Sequence, residues 1–269
     1  MRFLVLFVVS IGCFVGYCQS NEYYHLRYQF KTGDTAYLFG NNVKLRTQPN
    51  TDSNLVGLLE IGQKVEILEL TNETMEFEGI NRPWYKVKSG EEVGYVLGGL
   101  LSLTKKYEGK YEYVMVFRKD ADQLQLMVRL VNVKSPADYS EIILPLTTPE
   151  FYVNLSENKG LESVDGILQI DYMAEACGVD GGGEFLFAYE NRLVHAISYS
   201  SIGDGGIYSL DEAYSFPIDH GEESDLIMYT YEEQTTEDDE LLWEETKSIK
   251  RMLRWEGKKL NPRGIQEKE

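Results

Sequence analysis

The thiol of Cys177 and the imidazoles of His195 and His220 are candidate side chains for nucleophilic chemistry. Cys177 sits in the run EACGVDGGG, His195 follows in LVHAISY, and His220 lies further on. A cysteine nucleophile needs a thiolate activated by an imidazole, and a third group to orient that imidazole. Cys177 and His195 are the pair a hydrolase would use. The plainer expectation is that Cys177 is a small buried hydrophobe, and that His195 is a packed or surface imidazole in the middle of a strand.

Two glycine-acid runs, GVDGGGE and IGDGGIYSLDE, raise a second chemistry. A hard cation such as calcium needs several oxygen ligands from a tight loop, and Asp180, Glu184, Asp204, Asp211 and Glu212 could supply them. Neither run has the regular Asp-x-Asp-x-Asp-Gly spacing. The plainer reading gives the glycines positive φ in hairpin turns and turns the acids to water. No phosphate loop, dinucleotide fingerprint or clustered His/Cys set is present, so no cofactor and no metal are expected.

Composition limits the partners. A formal net charge of -18 over 269 residues argues against a nucleic-acid binder, since phosphate recognition needs clustered Lys and Arg. It also argues against adhesion to anionic membranes and is read as a solubility device. Hydrophobic residues at 43% allow a packed core of one large or two ordinary domains. Nineteen Tyr and 24 Gly against seven Pro suggest many strands joined by tight turns.

Residues 1–18 read as a signal peptide: Met1-Arg2 is positive, Phe3 to Val9 is apolar, and Gly16-Tyr17-Cys18 is a small-any-small site before Gln19. The run is too short for a transmembrane helix, so none is expected in the mature chain. Ile11-Gly12-Cys13 keeps lipidation of Cys13 open. Cys13 and Cys18 fall in the expected leader, which leaves Cys177 as the mature chain's thiol. A secreted chain without an internal disulfide must be held by its core, and this fits a bacterial envelope protein, periplasmic or extracellular.

The elements come next. Val43 and Leu45 alternate with polar residues, Pro49 to Ser53 has turn chemistry, and Leu55 to Leu59 follows as a strand. Val65 and Ile67, then Trp84 to Val87, then Val93 to Val96 continue the pattern. Thr71 to Arg82 is polar and reads as a loop. Five short strands in so little chain suggest a small closed barrel at residues 36–103, expected to fold alone. The runs NVKLRTQPNTDSNLVGLLEIGQKVEIL, WYKVKSG and VGYVLGGLL resemble the bacterial SH3-like (SH3b) family. Tyr95 stands where that family often has Trp. The resemblance implies a module that binds cell-wall peptide or an envelope protein, or positions an attached domain. Trp84, Tyr85 and Tyr95 are its candidate binding residues, beside a groove between the Pro49 turn and the Thr71–Arg82 loop. Arg46 is read as a structural side chain pairing with nearby carboxylates.

Residues 104–110, TKKYEGK, read as a linker, and residues 107–260 as one antiparallel β domain: a curved sheet, a sandwich or a partial propeller. Glu184 to Tyr189 and Leu193 to Tyr199 form an expected hairpin turning at Glu190-Asn191. Residues 232–240 read as a solvated loop, 240–255 as a strand despite helix-compatible spacing, and 261–269 as a polar tail. The sequence points to an all-β, exported, non-catalytic binding or scaffold protein of the cell envelope. The competing readings are a cell-wall cysteine hydrolase, although EACGVDGGG departs from the Asp-Cys-Ser-Gly run of such peptidases, and a calcium-stabilised β protein.

Overall fold

The computed structural model describes residues 22–262, apart from 175, 206, 222–224 and 239–242. The expected leader at 1–18 lies outside the described residues, as does the tail beyond Pro262.

The chain starts in β1 (Glu22–His25) and then builds the first sheet. That sheet uses β2 (Thr35–Leu38), β3 (Val43–Arg46), β4 (Leu55–Leu59), β5 (Lys64–Phe77), β6 (Ile80–Ser89), β7 (Glu92–Leu97) and β8 (Leu101–Ser102). Its order is β4-β3-β7-β6-β5-β2-β8, and it curls around its own core. Alternation decides which side chains point inward: Val43 and Leu45 are buried and Lys44 exposed, Val65 and Ile67 buried and Glu66 exposed. With Ala36, Leu38, Leu59, Val87 and Val96 they fill the barrel. Each buried Leu, Ile or Val contributes about 1.5–3 kcal/mol. Gly94 lets β7 close on β3, because a Cβ there would stand 2.7 Å from the Arg46 carbonyl oxygen.

The segment expected as a loop, Thr71–Arg82, is instead the far half of a long hairpin. Thr74, Met75, Glu76 and Phe77 of β5 face Pro83, Arg82, Asn81 and Ile80 of β6. The turn is Glu78-Gly79, both at positive φ (49° and 72°) as a tight hairpin requires. This arm leaves the barrel and docks on the second region: the Lys119 N–H donates to the Glu78 carbonyl at 2.8 Å, and Arg118 Nε meets Glu78 Oε2 at 3.0 Å.

The expected linker is also a strand. β9 (Lys105–Glu108) turns at Gly109 into β10 (Tyr111–Asp120), followed by β11 (Gln123–Asn132) and β12 (Tyr139–Pro145). These four form a second sheet in the order β12-β11-β10-β9. The third contains β13 (Glu150–Ser156), β14 (Gly166–Tyr172), β15 (Gly183–Tyr189) and β16 (Arg192–Tyr199), with β1 along the outer side of β13. The fourth contains β17 (Ser201–Asp204), β18 (Tyr208–Ser215), β19 (Leu226–Asp238), β20 (Trp243–Trp255) and β21 (Leu260–Pro262). Residues 240–255 thus include a strand, as read from the sequence. The expected solvated loop at 232–240 is strand as far as Asp238, and the tail begins inside β21.

The sheets stack as barrel, second, third and fourth. Tyr113, Met115, Phe117, Leu126 and Val128 of the second sheet pack against Phe151, Leu168, Ile170 and Leu186 of the third. Phe185, Phe187 and Ile197, on the third sheet's other face, meet Phe216, Ile227 and Trp255. Val114, Val116, Met127 and Val131, on the second sheet's other face, meet Phe39 and Ile61 of the barrel. Covering both faces explains why YVMVF in β10 is continuously apolar rather than alternating.

Candidate functional site

Of the three aromatic candidates, two are inside. Trp84 is 4% exposed and Tyr85 2%. Tyr85 belongs to the barrel core, its ring edge-on to Phe30 at 5.8 Å and its hydroxyl accepting the Phe30 N–H at 3.2 Å. Burial pushes the Tyr85 phenol up from its ordinary value. Tyr85 and Val87 point into the barrel, whereas Trp84, one residue along β6, is buried on the opposite face, the one that carries Lys86. The aromatic side chain that reaches solvent is Tyr95, half-buried on the outer face of β7.

Tyr95 has cationic neighbours. It lies opposite Arg46 on β3 and Lys86 on β6. Lys44 shares the face of Arg46 two residues away, and Lys88 shares that of Lys86, each by strand alternation. Lys44 stands opposite Leu58 of β4, which is 53% exposed. Glu69 and Glu66 lie opposite Lys86 and Lys88 on β5. None of Lys44, Arg46, Lys86 or Lys88 makes an ion pair among the described residues. Arg46 does not pair with a carboxylate as expected. Its Nη1 donates to the Ser53 carbonyl at 2.8 Å and holds the turn in which Ser53 Oγ donates to the Gln48 carbonyl at 3.0 Å. The resulting face offers a flat aromatic, an apolar leucine and cationic groups, a set suited to an acidic, partly apolar partner.

Cys177 is exposed, not buried as expected, and makes no hydrogen bond among the described residues. Its loop between β14 and β15 folds outside the sheets, so no strand face covers it. His195 is engaged elsewhere. A bulge in the β15–β16 pairing sets His195 opposite Leu186 and Ser198 opposite Glu184, which puts both on one face with the glutamate. Glu184, almost fully buried, accepts from Tyr172 at 3.1 Å and Ser198 at 2.6 Å, and meets His195 Nε2 at 2.6 Å. Ser198 Oγ is 3.1 Å from that same Nε2. A nucleophile relay places hydroxyl and carboxylate on opposite ring nitrogens; here both converge on one. The cluster is a buried carboxylate satisfied by three donors. The Glu184 hydrogen bond raises the His195 pKa above its ordinary value, against the opposing effect of burial. The sequence marks this cluster only by an acid opening the apolar run EFLFAY.

The acidic loops are likewise committed locally. Asp180 accepts from the Gly182 and Ser201 N–H groups at 2.8 and 3.0 Å and from Ser200 Oγ at 2.8 Å. Glu212 accepts from the Ser200 N–H at 2.9 Å and the Tyr229 hydroxyl at 2.6 Å, and Asp211 from Ser201 Oγ at 2.6 Å. Among the described residues no three His, Cys, Asp or Glu side chains converge as a metal site.

Comparison with known families matches residues 41–102 to the bacterial SH3 domain. The match covers the curled barrel from the turn before β3 to the end of β8, leaving β2 outside it, and the rest of the chain matches no family. No curated protein and no solved structure matches the chain.

Proposed function

We propose, from the bacterial SH3 domain carried at residues 41–102, that this chain is an exported, non-catalytic binding or scaffold protein of the bacterial cell envelope. Its SH3-like module presents Tyr95 to a cell-wall peptide or an envelope protein, with Tyr85 packed in the barrel behind that face. One observation carries the reading: the half-exposed ring lies between unpaired Arg46 and Lys86, in a chain whose formal net charge is -18. Cell-wall stem peptides carry free carboxylates, and their backbones offer flat amide surfaces for an aromatic ring. Tyrosine supplies large contact area at small entropic cost.

Co-sedimentation of the whole chain with purified peptidoglycan, and capture from envelope extracts, test the reading. Tyr95→Ala and Lys86→Gln should each weaken retention, by about 2 kcal/mol for a true aromatic anchor. Retention unaffected by both substitutions would remove the Tyr95 face from the account. Export is tested separately by the intact mass of protein recovered outside the cytoplasm, which should begin near Gln19.

A further inference from the structure

Between β1 and β2 the chain crosses the base of the docked arm, and residues 26–29 face residues 80–83 across a cleft of about 460 Å³. Its walls include two arginines, Arg27 and Arg82, and no carboxylate. Arg82 is half-buried: Nη1 donates to the Leu26 carbonyl at 3.3 Å, and the guanidinium carbon lies 5.9 Å from the Phe117 ring centroid. It makes no ion pair among the described residues. A guanidinium carries five N–H donors, and a buried cation without a counter-ion is costly. Burial lowers the Arg82 pKa from its ordinary value, the sign expected of a charge held without an anion. Arg27 is exposed on the rim and is also unpaired. Acids outnumber bases 44 to 26 in this chain, yet none lines this cleft; Glu150 lines the adjoining depression that Arg27 also borders.

We infer that this cleft is a binding site for the free carboxylate of a peptide, seated on the Arg82 fork and reached from the rim by Arg27. The planar guanidinium matches a carboxylate through paired hydrogen bonds. Gln29 and Asn81 add amide donors and acceptors for the adjoining peptide bonds, and Leu26 and Ile80 supply an apolar wall for a side chain. The volume falls in the range of small-ligand pockets. The site deepens the proposed peptide-binding role by naming the group recognised, and rests on that reading only for the source of the peptide. It shares no residue with the Tyr95 face.

The test is calorimetric titration of the full chain with N-acetyl-Ala-Ala-Ala bearing a free carboxylate, with its C-terminal amide, and with inorganic phosphate. The acid should bind saturably, and the amide about tenfold or more weaker. Arg82→Gln should weaken the acid by about tenfold or more, and Arg27→Gln by a few-fold. Tyr95→Ala should leave this binding unchanged while weakening retention on peptidoglycan, which separates failure of one site from failure of the other. Arg82 packs near Phe117, so each variant's unfolding transition is recorded, and exposed Arg27 provides a substitution that leaves the fold untouched. Absence of saturable binding by the acid overturns the inference. So does equal binding of acid and amide, or binding that survives both arginine substitutions. Phosphate binding as tightly through the same arginines also overturns it, in favour of a general anion site.

Discussion

Phe39 tests whether barrel and second region fold as one unit. It follows β2, is 1% exposed, and packs with Ile61 against Val114, Val116, Met127 and Val131 of the second sheet. The Arg129 guanidinium lies 4.1 Å from its ring centroid, and Arg129 Nη1 donates to the Phe39 carbonyl at 2.7 Å. Truncation to alanine keeps the carbonyl bond but removes the ring from a core shared by both parts. A buried Phe→Ala costs about 3–5 kcal/mol, and loss of the Arg129–ring contact adds about 0.5–1 kcal/mol. Urea unfolding followed by tryptophan emission can localise the effect, since Trp84 lies in the barrel and Trp255 in the core between the third and fourth sheets. In variants that keep one reporter each, Phe39→Ala should lower both midpoints together. Two separate transitions, or a shift below about 1 kcal/mol at the Trp255 reporter, would refute the coupling. They would restore the expectation that residues 36–103 fold alone.

Gly79→Ala should destabilise the chain by roughly 1–3 kcal/mol in the same assay: Gly79 has φ 72°, and a Cβ there would stand 2.2 Å from the Lys119 carbonyl oxygen. His195 should give stability a pH dependence. Its folded pKa is raised above the unfolded value, so its contribution is full below about pH 6.5 and is lost as pH rises through the folded pKa. His195→Gln should flatten the unfolding free energy over that window, and an unchanged slope would assign it to another group. Cys177→Ser should leave retention on peptidoglycan unaltered, whereas loss of a hydrolytic activity in that variant would revive the cysteine-enzyme reading.

The barrel was legible because Val43 and Leu45, Val65 and Ile67 alternate cleanly with charges, a pattern that follows from one buried face. The arm was not: Thr71, Asn72, Glu73 and Thr74 are half-exposed or exposed, and the ladder to β6 is irregular between Leu70 and Thr74, so the period-two signal vanishes before the pairing resumes. The same reason hid β9, whose Lys-Lys-Tyr-Glu presents no apolar face. Strand β10 read well as strand, but its continuous apolar run could not announce which sheets would cover it. Tyr95 could be separated from Tyr85 only by knowing which face of each strand turns outward, and from Trp84, on its own side of the sheet, only by knowing which of the two is buried. The Glu184 cluster depends on a bulge, which shifts a register that spacing alone would keep regular. Arg82 looks on paper like one more polar residue of a loop.

The pairing of β1 with β13 has a consequence for the order of folding. Tyr23 lies against Tyr152 in that ladder, and the entire barrel intervenes in sequence. Hairpins such as β5–β6 and β6–β7 close short loops and can form as soon as their strands exist. β1 has no partner until β13 is in place, and its pairing must overcome a much longer loop closure. The barrel's local hairpins can therefore form before this last ladder zips. Contacts of such long separation slow the approach to the native state. Until that ladder forms, the β1 edge is open to other strands, and it is the place where a crowded chain would go astray.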